Sequence, residues 1–119
     1  MLADPDTARV LRRFVAVFCR FWASHRKVLP KFSAVAKLDD EIGQGLKQRS
    51  ERRRQALTVL VGRMATGQDQ AELVDVLFAL TSFEMFDALS VHRRSDKAVE
   101  ALIQQLVEDS LKRFSGKRV

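Results

Sequence analysis

The sequence predicts an all-α protein, a single bundle of five helices within residues 1–119. The chain holds only 5 Gly and 2 Pro, so few positions suit tight turns, and long helices are favoured over many short strands. Apolar residues recur at the spacing of amphipathic helices along most of the chain. Residues 73–91 are apolar nearly all round the helix axis, which requires burial on most sides. Three carboxylates interrupt this segment: Asp75, Glu84 and Asp87.

The first two predicted helices differ in length. Asp4 as N-cap and Pro5 at the first helical position start a helix that runs to about His25. Its apolar stripe consists of Val10, Phe14, Val17, Phe18 and Phe21. A short helix follows from Pro30 to about Lys37. Because it offers few inward anchors, we expect it to be the most mobile part of the chain.

Capping residues delimit the third and fourth helices. Asp39 caps a third helix that runs to about Ala65, and Gly67 then supplies a left-handed C-terminal cap. The fourth helix starts at Asp69, with a glutamate three residues later at capping-box spacing. We predict that it continues without a break through residues 73–91.

Ser95 is the predicted N-cap of the fifth helix, whose apolar face extends to Phe114. Five helices of one small chain can hardly cover the apolar fourth helix completely. We therefore expect its outer face to pack against a second copy, which gives a homodimer. A membrane span is the competing interpretation, but three carboxylates in one short segment would be costly in lipid.

The composition limits the class of protein. Hydrophobic residues make up 46% and charged residues 30%, a balance typical of globular proteins. The single cysteine, Cys19, excludes an internal disulfide and fits a reducing compartment. The first ten residues lack the apolar run of a signal peptide. We therefore predict a cytoplasmic protein with no membrane partner.

The net charge is +6, which raises the possibility of a nucleic-acid partner. The basic residues are scattered along the chain, however, and no aromatic residues interleave with them as in a single-strand binding surface. We favour a solvated basic surface. A basic helical module that binds protein or nucleic acid without a ligand pocket is the alternative.

Sequence patterns of catalysis are absent. There is no glycine-rich phosphate loop and no GxSxG motif. No second histidine or cysteine lies three or four residues from His25 or His92. Glu84 and Asp87 share a helix, but no ExxH motif accompanies them. We predict that the protein is not an enzyme and carries no metal or cofactor.

Two arginines, Arg49 and Arg53, fall on the inward stripe of the third helix. Charged residues in such positions are seldom left unpaired. They are expected to pair with the carboxylates of the fourth helix (Asp75, Glu84 or Asp87) or to extend outward to water. Alternatively, one of them faces a cavity and meets an anionic or polar ligand.

The chain is rich in large aromatic rings, most of which are expected in the core. With Met64 and Met85 they could also wall an apolar pocket between helices. Trp22 is the only tryptophan. Its indole N–H could orient a ligand, although a backbone carbonyl is its usual partner.

Five segments follow one another in a characteristic order. A long aromatic helix ending in FWASHR is followed by a short helix, then by a long helix carrying RSERRRQAL. Next come ELVDVLFALTSFEMFDAL and the capped last helix SDKAVEALIQQLVEDSL. In order and content these segments resemble the C-terminal regulatory domain of TetR-family transcriptional repressors. The resemblance covers the chain from about Thr7 to Phe114.

This resemblance implies a helical bundle whose last two long helices form a four-helix interface with a second subunit. It also implies a small-molecule pocket enclosed by the first four helices. No helix-turn-helix segment precedes Pro5. We therefore expect the chain to be a fragment that contacts operator DNA only through an N-terminal domain not present here.

On this basis we predict an effector-binding and dimerisation domain for an apolar or weakly acidic small molecule. The predicted ligand-binding residues are Phe18, Trp22, Phe32, Arg53, Leu57, Met64, Phe83 and Phe86. The predicted dimer-interface residues are Leu77, Leu80, Glu84, Leu102 and Leu106.

Overall fold

A computed structural model describes residues 5–65 and 67–116. This part of the chain contains six helices: α1 Pro5–His25, α2 Leu29–Ala36, α3 Asp40–Gly62, α4 Gly67–Leu80, α5 Phe83–Leu89 and α6 Asp96–Gly116. The predicted all-α class is confirmed, whereas the predicted number of five helices is wrong. The predicted N-cap Asp4 lies outside the described residues.

The predicted helix boundaries near polar caps agree with the structure. Asp39 Oδ1 accepts hydrogen bonds from the backbone N–H groups of Glu41 and Ile42, at 3.0 and 3.2 Å. Ser95 Oγ accepts from the N–H of Ala98 at 3.1 Å and so caps α6. Gly67 has the expected left-handed conformation, with a φ of 62°, but it starts α4 and does not cap α3, which ends at Gly62. The predicted start of the fourth helix at Asp69 is therefore two residues late.

The predicted fourth helix breaks at Thr81 and Ser82 into α4 and α5. Both hydroxyls bond back to α4 carbonyls: Thr81 Oγ1 to Leu77 O at 2.8 Å, and Ser82 Oγ to Ala79 O at 2.8 Å. Ser82 has an extended backbone, with ψ of 158°, and its Oγ accepts from the N–H of Met85 as the N-cap of α5. Hydroxyl side chains compete in this way with helical hydrogen bonding, and here they end one helix and start the next.

The core lies where α1, the second half of α3, α4, α5 and α6 meet. Its fully buried large side chains include Leu11, Val15, Leu57, Leu73, Leu77, Phe86 and Ile103. Helices α1 and α6 run antiparallel beside this core, and polar contacts join them along their outer seam. Arg12 Nη2 lies 2.7 Å from Glu108 Oε1, and at the other end Arg26 Nη2 lies 2.6 Å from Asp96 Oδ1.

The rest of the molecule is far less densely packed. None of the residues 20–52 is buried, although they include the end of α1, all of α2 and the first half of α3. We call residues 20–52 the open end and the remaining described residues the packed end. The radius of gyration is 15.3 Å, above the roughly 13.5 Å of a compact chain of this length. The open end therefore projects from the core.

Helix α2 contacts mainly α3 within the open end, and none of its residues is buried. A Cβ atom at Gly43 would lie 3.1 Å from the carbonyl oxygen of Ala36. The glycine thus allows the end of α2 to approach the α3 backbone closely. No helix in the described part of the chain is long and apolar enough to cross a membrane.

Candidate functional site

A hollow of about 580 Å³ separates α1 from α3. Its walls come from four helices: Phe14, Val17, Phe18, Phe21 and Trp22 of α1; Leu29 and Ser33 of α2; Leu46, Arg49, Ser50, Arg52, Arg53 and Ala56 of α3; and Phe83 and Glu84 of α5. The volume lies within the range of small-molecule sites. The hollow spans the boundary between the packed end and the open end, because its walls include residues of both. Helix α1 packs on α6 and α3 packs on α4.

Aromatic rings form a continuous wall on the α1 side. The ring centroids of Phe14 and Phe18 are 4.9 Å apart, and those of Phe18 and Trp22 are 5.8 Å apart, because residues four positions apart share one helix face. Trp22 also meets Phe83 of α5 edge-on, at 5.8 Å. Val17, next to these rings, is 56% exposed. The wall is therefore an apolar surface that no other part of the described chain covers completely.

Arg53 is the one charged side chain among the buried residues described, at 7% exposure. Its Nη1 donates to the carbonyl oxygen of Phe78 and, at 2.7 Å, to Thr81 Oγ1. Its guanidinium carbon lies 3.9 Å from the centroid of the Phe78 ring. A helix leaves its last carbonyls without partners, and a cation is favourable there, so Arg53 completes the end of α4.

Burial lowers the pKa of Arg53 from 12.5 to about 10, because the low-polarity surroundings disfavour the charged form. The negative charge of Glu84 acts in the opposite direction, and the neighbouring Arg54 adds to the lowering. At neutral pH the guanidinium therefore stays charged. It faces the hollow as a cation already held by neutral acceptors.

The structure decides between the two interpretations of Trp22. Its Nε1 donates to the carbonyl oxygen of Thr81 at 2.9 Å, so the usual backbone partner is present. Trp22 and Arg53 thus both hold the segment between α4 and α5, and both line the hollow. A molecule in the hollow would touch the two side chains that fix this break.

Two further arginines, Arg49 and Arg52, lie on the α3 side of the hollow and are exposed. Neither takes part in any ion pair found among the described residues. Glu84 is the only acidic residue on the walls of the hollow among those described. The hollow is therefore positively charged overall.

The expected pairing of Arg49 and Arg53 with carboxylates of the fourth helix is not observed in the described structure. Instead the adjacent Arg54 reaches Asp75, with Nη1 2.6 Å from Oδ1. Arg53 uses neutral acceptors, because the unexpected break after α4 leaves carbonyl oxygens that need donors. Arg49 is exposed, as the predicted extension to water requires, and it also lines the hollow, as the second interpretation of the stripe has it.

Four of the predicted ligand-binding residues meet at the hollow: Phe18, Trp22, Arg53 and Phe83. Phe32 lies instead on a neighbouring hollow beneath α2. Leu57, Met64 and Phe86 belong to the core and do not line the hollow. Arg52 was missed, and Arg49 was considered as a cavity-facing residue but was not included in the predicted ligand-binding set, although the two lie only one and four residues before Arg53 on the same helix.

The predicted dimer-interface residues are distributed over different surroundings. Leu77 and Leu80 are buried within the chain itself, because α3 and α6 cover that side of α4. Leu102 and Leu106 are half-buried, and Glu84 is exposed at the hollow. The outward side of α4 instead carries Val76, which is 37% exposed, and Ala79.

The described residues contain no group of three or more His, Cys, Asp or Glu side chains placed to hold a metal ion. Comparison with protein-family models, with curated proteins and with solved structures found no match for the chain.

Proposed function

We propose that the chain is the effector-binding and dimerisation domain of a TetR-like transcriptional regulator. In this proposal the domain is cytoplasmic and forms a homodimer. It binds an apolar or weakly acidic small molecule, and a separate N-terminal domain contacts operator DNA. The TetR resemblance in the sequence supports the regulatory part of the proposal.

The hollow between α1 and α3 is the observation that carries the proposal. It joins an aromatic wall to the cationic side chains Arg49, Arg52 and Arg53. Ligand sites are mostly apolar, with a few polar groups that fix orientation, and guanidinium groups match carboxylates closely. Such a hollow suits a compact apolar molecule that carries one acidic group.

A ligand in the hollow could alter the fold through Arg53 and Trp22. These side chains hold the carbonyl oxygens of Phe78 and Thr81 at the α4–α5 break. Helix α5 packs in turn on α6, one of the helices proposed to face a second copy. A ligand that favours one arrangement of this break would shift the population of domain geometries by its difference in affinity for them.

Thermal unfolding in the presence of small apolar and acidic compounds tests the ligand site. A ligand at 100 times its Kd stabilises the folded state by about 2.7 kcal/mol, and the melting temperature must rise. Val17→Glu places a carboxylate in the mouth of the hollow, so it should abolish this rise. Val59→Glu is the matched control, because Val59 is exposed on α3 but does not line the hollow. If no compound raises the melting temperature of the unmodified chain, the effector-binding proposal is wrong.

Light scattering over a dilution series tests dimerisation. We expect a dimer at micromolar concentration and a monomer for Val76→Glu, because this residue is exposed on the outward side of α4. Leu77→Glu would instead place a charge in the core and unfold the chain. A chain that stays monomeric, and that binds generic duplex DNA with steep salt dependence, would favour the interaction-module alternative.

A further inference from the structure

A second hollow of about 470 Å³ lies beneath α2 and adjoins the hollow between α1 and α3. The two share four wall residues, Phe21, Leu29, Leu46 and Arg49. They are therefore adjacent compartments of one groove.

The groove is long and narrow. Its walls extend on α1 from Phe14 to His25, with Val28 in the turn that follows, and on α3 from Ala56 back to Ile42, 14 positions earlier. From the first hollow to the second, the wall residues of α1 come later in the sequence and those of α3 come earlier. The groove therefore follows two antiparallel helices. At 1.5 Å per residue this is a length of about 21 Å. An elongated ligand matches that shape.

The walls are apolar over most of this length and uncovered in places. Phe21 is 38% exposed and Phe32 is 48% exposed, although both rings face the groove. Large apolar side chains exposed along one groove typically mark a binding surface. An aliphatic chain laid along the groove would remove them from water.

The positive charges of the groove lie on α3. Arg49 lines both compartments, whereas Arg52 and Arg53 line only the first. Neither Arg49 nor Arg52 has a partner among the described ion pairs. Glu84 lines only the first hollow, where its negative charge disfavours an anion. The acidic group of a ligand is therefore best placed at Arg49, where the two compartments meet.

From shape and charge together, we infer that this groove binds a free single-chain anionic amphiphile of the fatty-acid class. Its carboxylate pairs with Arg49 and its alkyl chain lies against α1. The inference rests on the proposed effector site and specifies the ligand chemistry of that site.

Fluorescence titration of the full chain tests the inference, because Trp22, the only tryptophan, lies on the groove wall. The probes are octanoate, decanoate and dodecanoate, each below its micelle concentration. Each buried methylene strengthens binding, so we expect about tenfold tighter binding for every two methylenes added. Equal affinities for the three acids would overturn the inference.

Arg49→Gln tests the position of the carboxylate. It should weaken dodecanoate binding by about fivefold, as for loss of one exposed ion pair, and leave dodecanol binding unchanged. Lys47→Gln removes the same charge from a position of α3 outside the groove, so it should change neither. If the two variants weaken dodecanoate binding equally, the carboxylate does not sit at Arg49 and the inference is wrong.

Two further titrations, with compact acids and with lipid vesicles, distinguish this inference from other ligands of the groove. If benzoate-like compact acids bind but chain length has no effect, the effector proposal stands and the amphiphile inference fails. If the chain binds vesicles of phosphatidylglycerol and phosphatidylcholine but no monomeric acid, the groove recognises a membrane surface and the inference also fails. Binding of neither short nor long acids, with no stabilisation by other compounds, would reject both proposals.

Discussion

The packed end and the open end use similar residues in different ways. Phe86 in the packed end is fully buried between α5 and its neighbours, whereas Phe32 in the open end is 48% exposed. Both belong to helices of fewer than ten residues. The difference comes from the surroundings: α5 is enclosed by α1, α4 and α6, while α2 lies mainly against α3.

This contrast indicates how buried and exposed apolar surface are divided. The packed end buries the apolar side chains that hold the fold, and the open end leaves large apolar side chains such as Phe21 and Phe32 exposed. Regions with few buried contacts open at low free energy. Three arginines of the run on α3 line the hollow: Arg49 and Arg52 belong to the open end, and Arg53 belongs to the packed end.

The largest expected effect distinguishes these two phenylalanines. Phe86→Ala should lower the free energy of unfolding by about 3–5 kcal/mol, because it empties a fully buried site. Phe32→Ala should lower it by less than about 1 kcal/mol, as expected for an exposed position. Urea denaturation of both variants measures the difference. Equal losses would mean that the open end is part of the cooperative core.

A smaller effect distinguishes neighbouring arginines. Arg53→Met removes the donor to Phe78 O and Thr81 Oγ1, and we expect a loss of about 1.5–3 kcal/mol, as for other hydrogen bonds from charged groups. Arg52→Met should stay within about 0.5 kcal/mol, because that side chain is exposed. The same denaturation experiment applies. If Arg53→Met leaves the free energy of unfolding unchanged, the desolvation of this buried cation costs as much free energy as its hydrogen bonds contribute.

Local signals in the sequence were sufficient for most helix boundaries. Asp39 and Ser95 act through their own side chains, so their positions follow from residue type. The left-handed conformation of Gly67 also follows from residue type, but its place at the start of α4 does not. The break at Ser82 was missed because the apolar pattern continues on both sides of it. The signal was present as Thr81–Ser82 followed by a glutamate in the first turn of α5.

The composition of the site was only partly predictable. The sequence shows which side of a helix is apolar, but not whether that side meets the core or a hollow. Phe18 and Phe86 both lie among apolar residues at helical spacing in the sequence. In the structure, however, Phe18 lines the hollow and Phe86 is fully buried. The decision depends on how far α1 and α3 separate, which is a property of the packed end as a whole. For the same reason the neutral partners of Arg53 could not be foreseen.

Cys19 is the last buried residue before the open end. The pH dependence of stability that its thiol causes therefore reports where the packed end stops. Burial, with a smaller contribution from Glu100, raises the pKa of its thiol from 9.0 to about 12. The unfolded chain therefore loses this proton above pH 9 while the folded chain keeps it, so stability falls as pH rises from 9 towards 12.

Relative to a Cys19→Ala variant, the unmodified chain should lose about 1 kcal/mol more stability between pH 8 and pH 10. Denaturation at the two pH values measures this, and the variant cancels contributions from the lysines and from Arg53. Parallel pH profiles of the two proteins would place Cys19 in contact with water. The boundary of the packed end would then lie closer to the start of α1.

The smallest expected effect concerns the outer seam between α1 and α6. Arg12 and Glu108 lie 2.7 Å apart, but their side chains are 68% and 41% exposed. A double-mutant cycle with Arg12→Ala and Glu108→Ala should give a coupling of about 0.5 kcal/mol or less, which 1 M salt should remove. A coupling that survives in 1 M salt would mean that this pair is shielded from water. If the expected value is found, the buried residues beneath the seam hold α1 and α6 together, so the packed end keeps its shape without help from this surface ion pair.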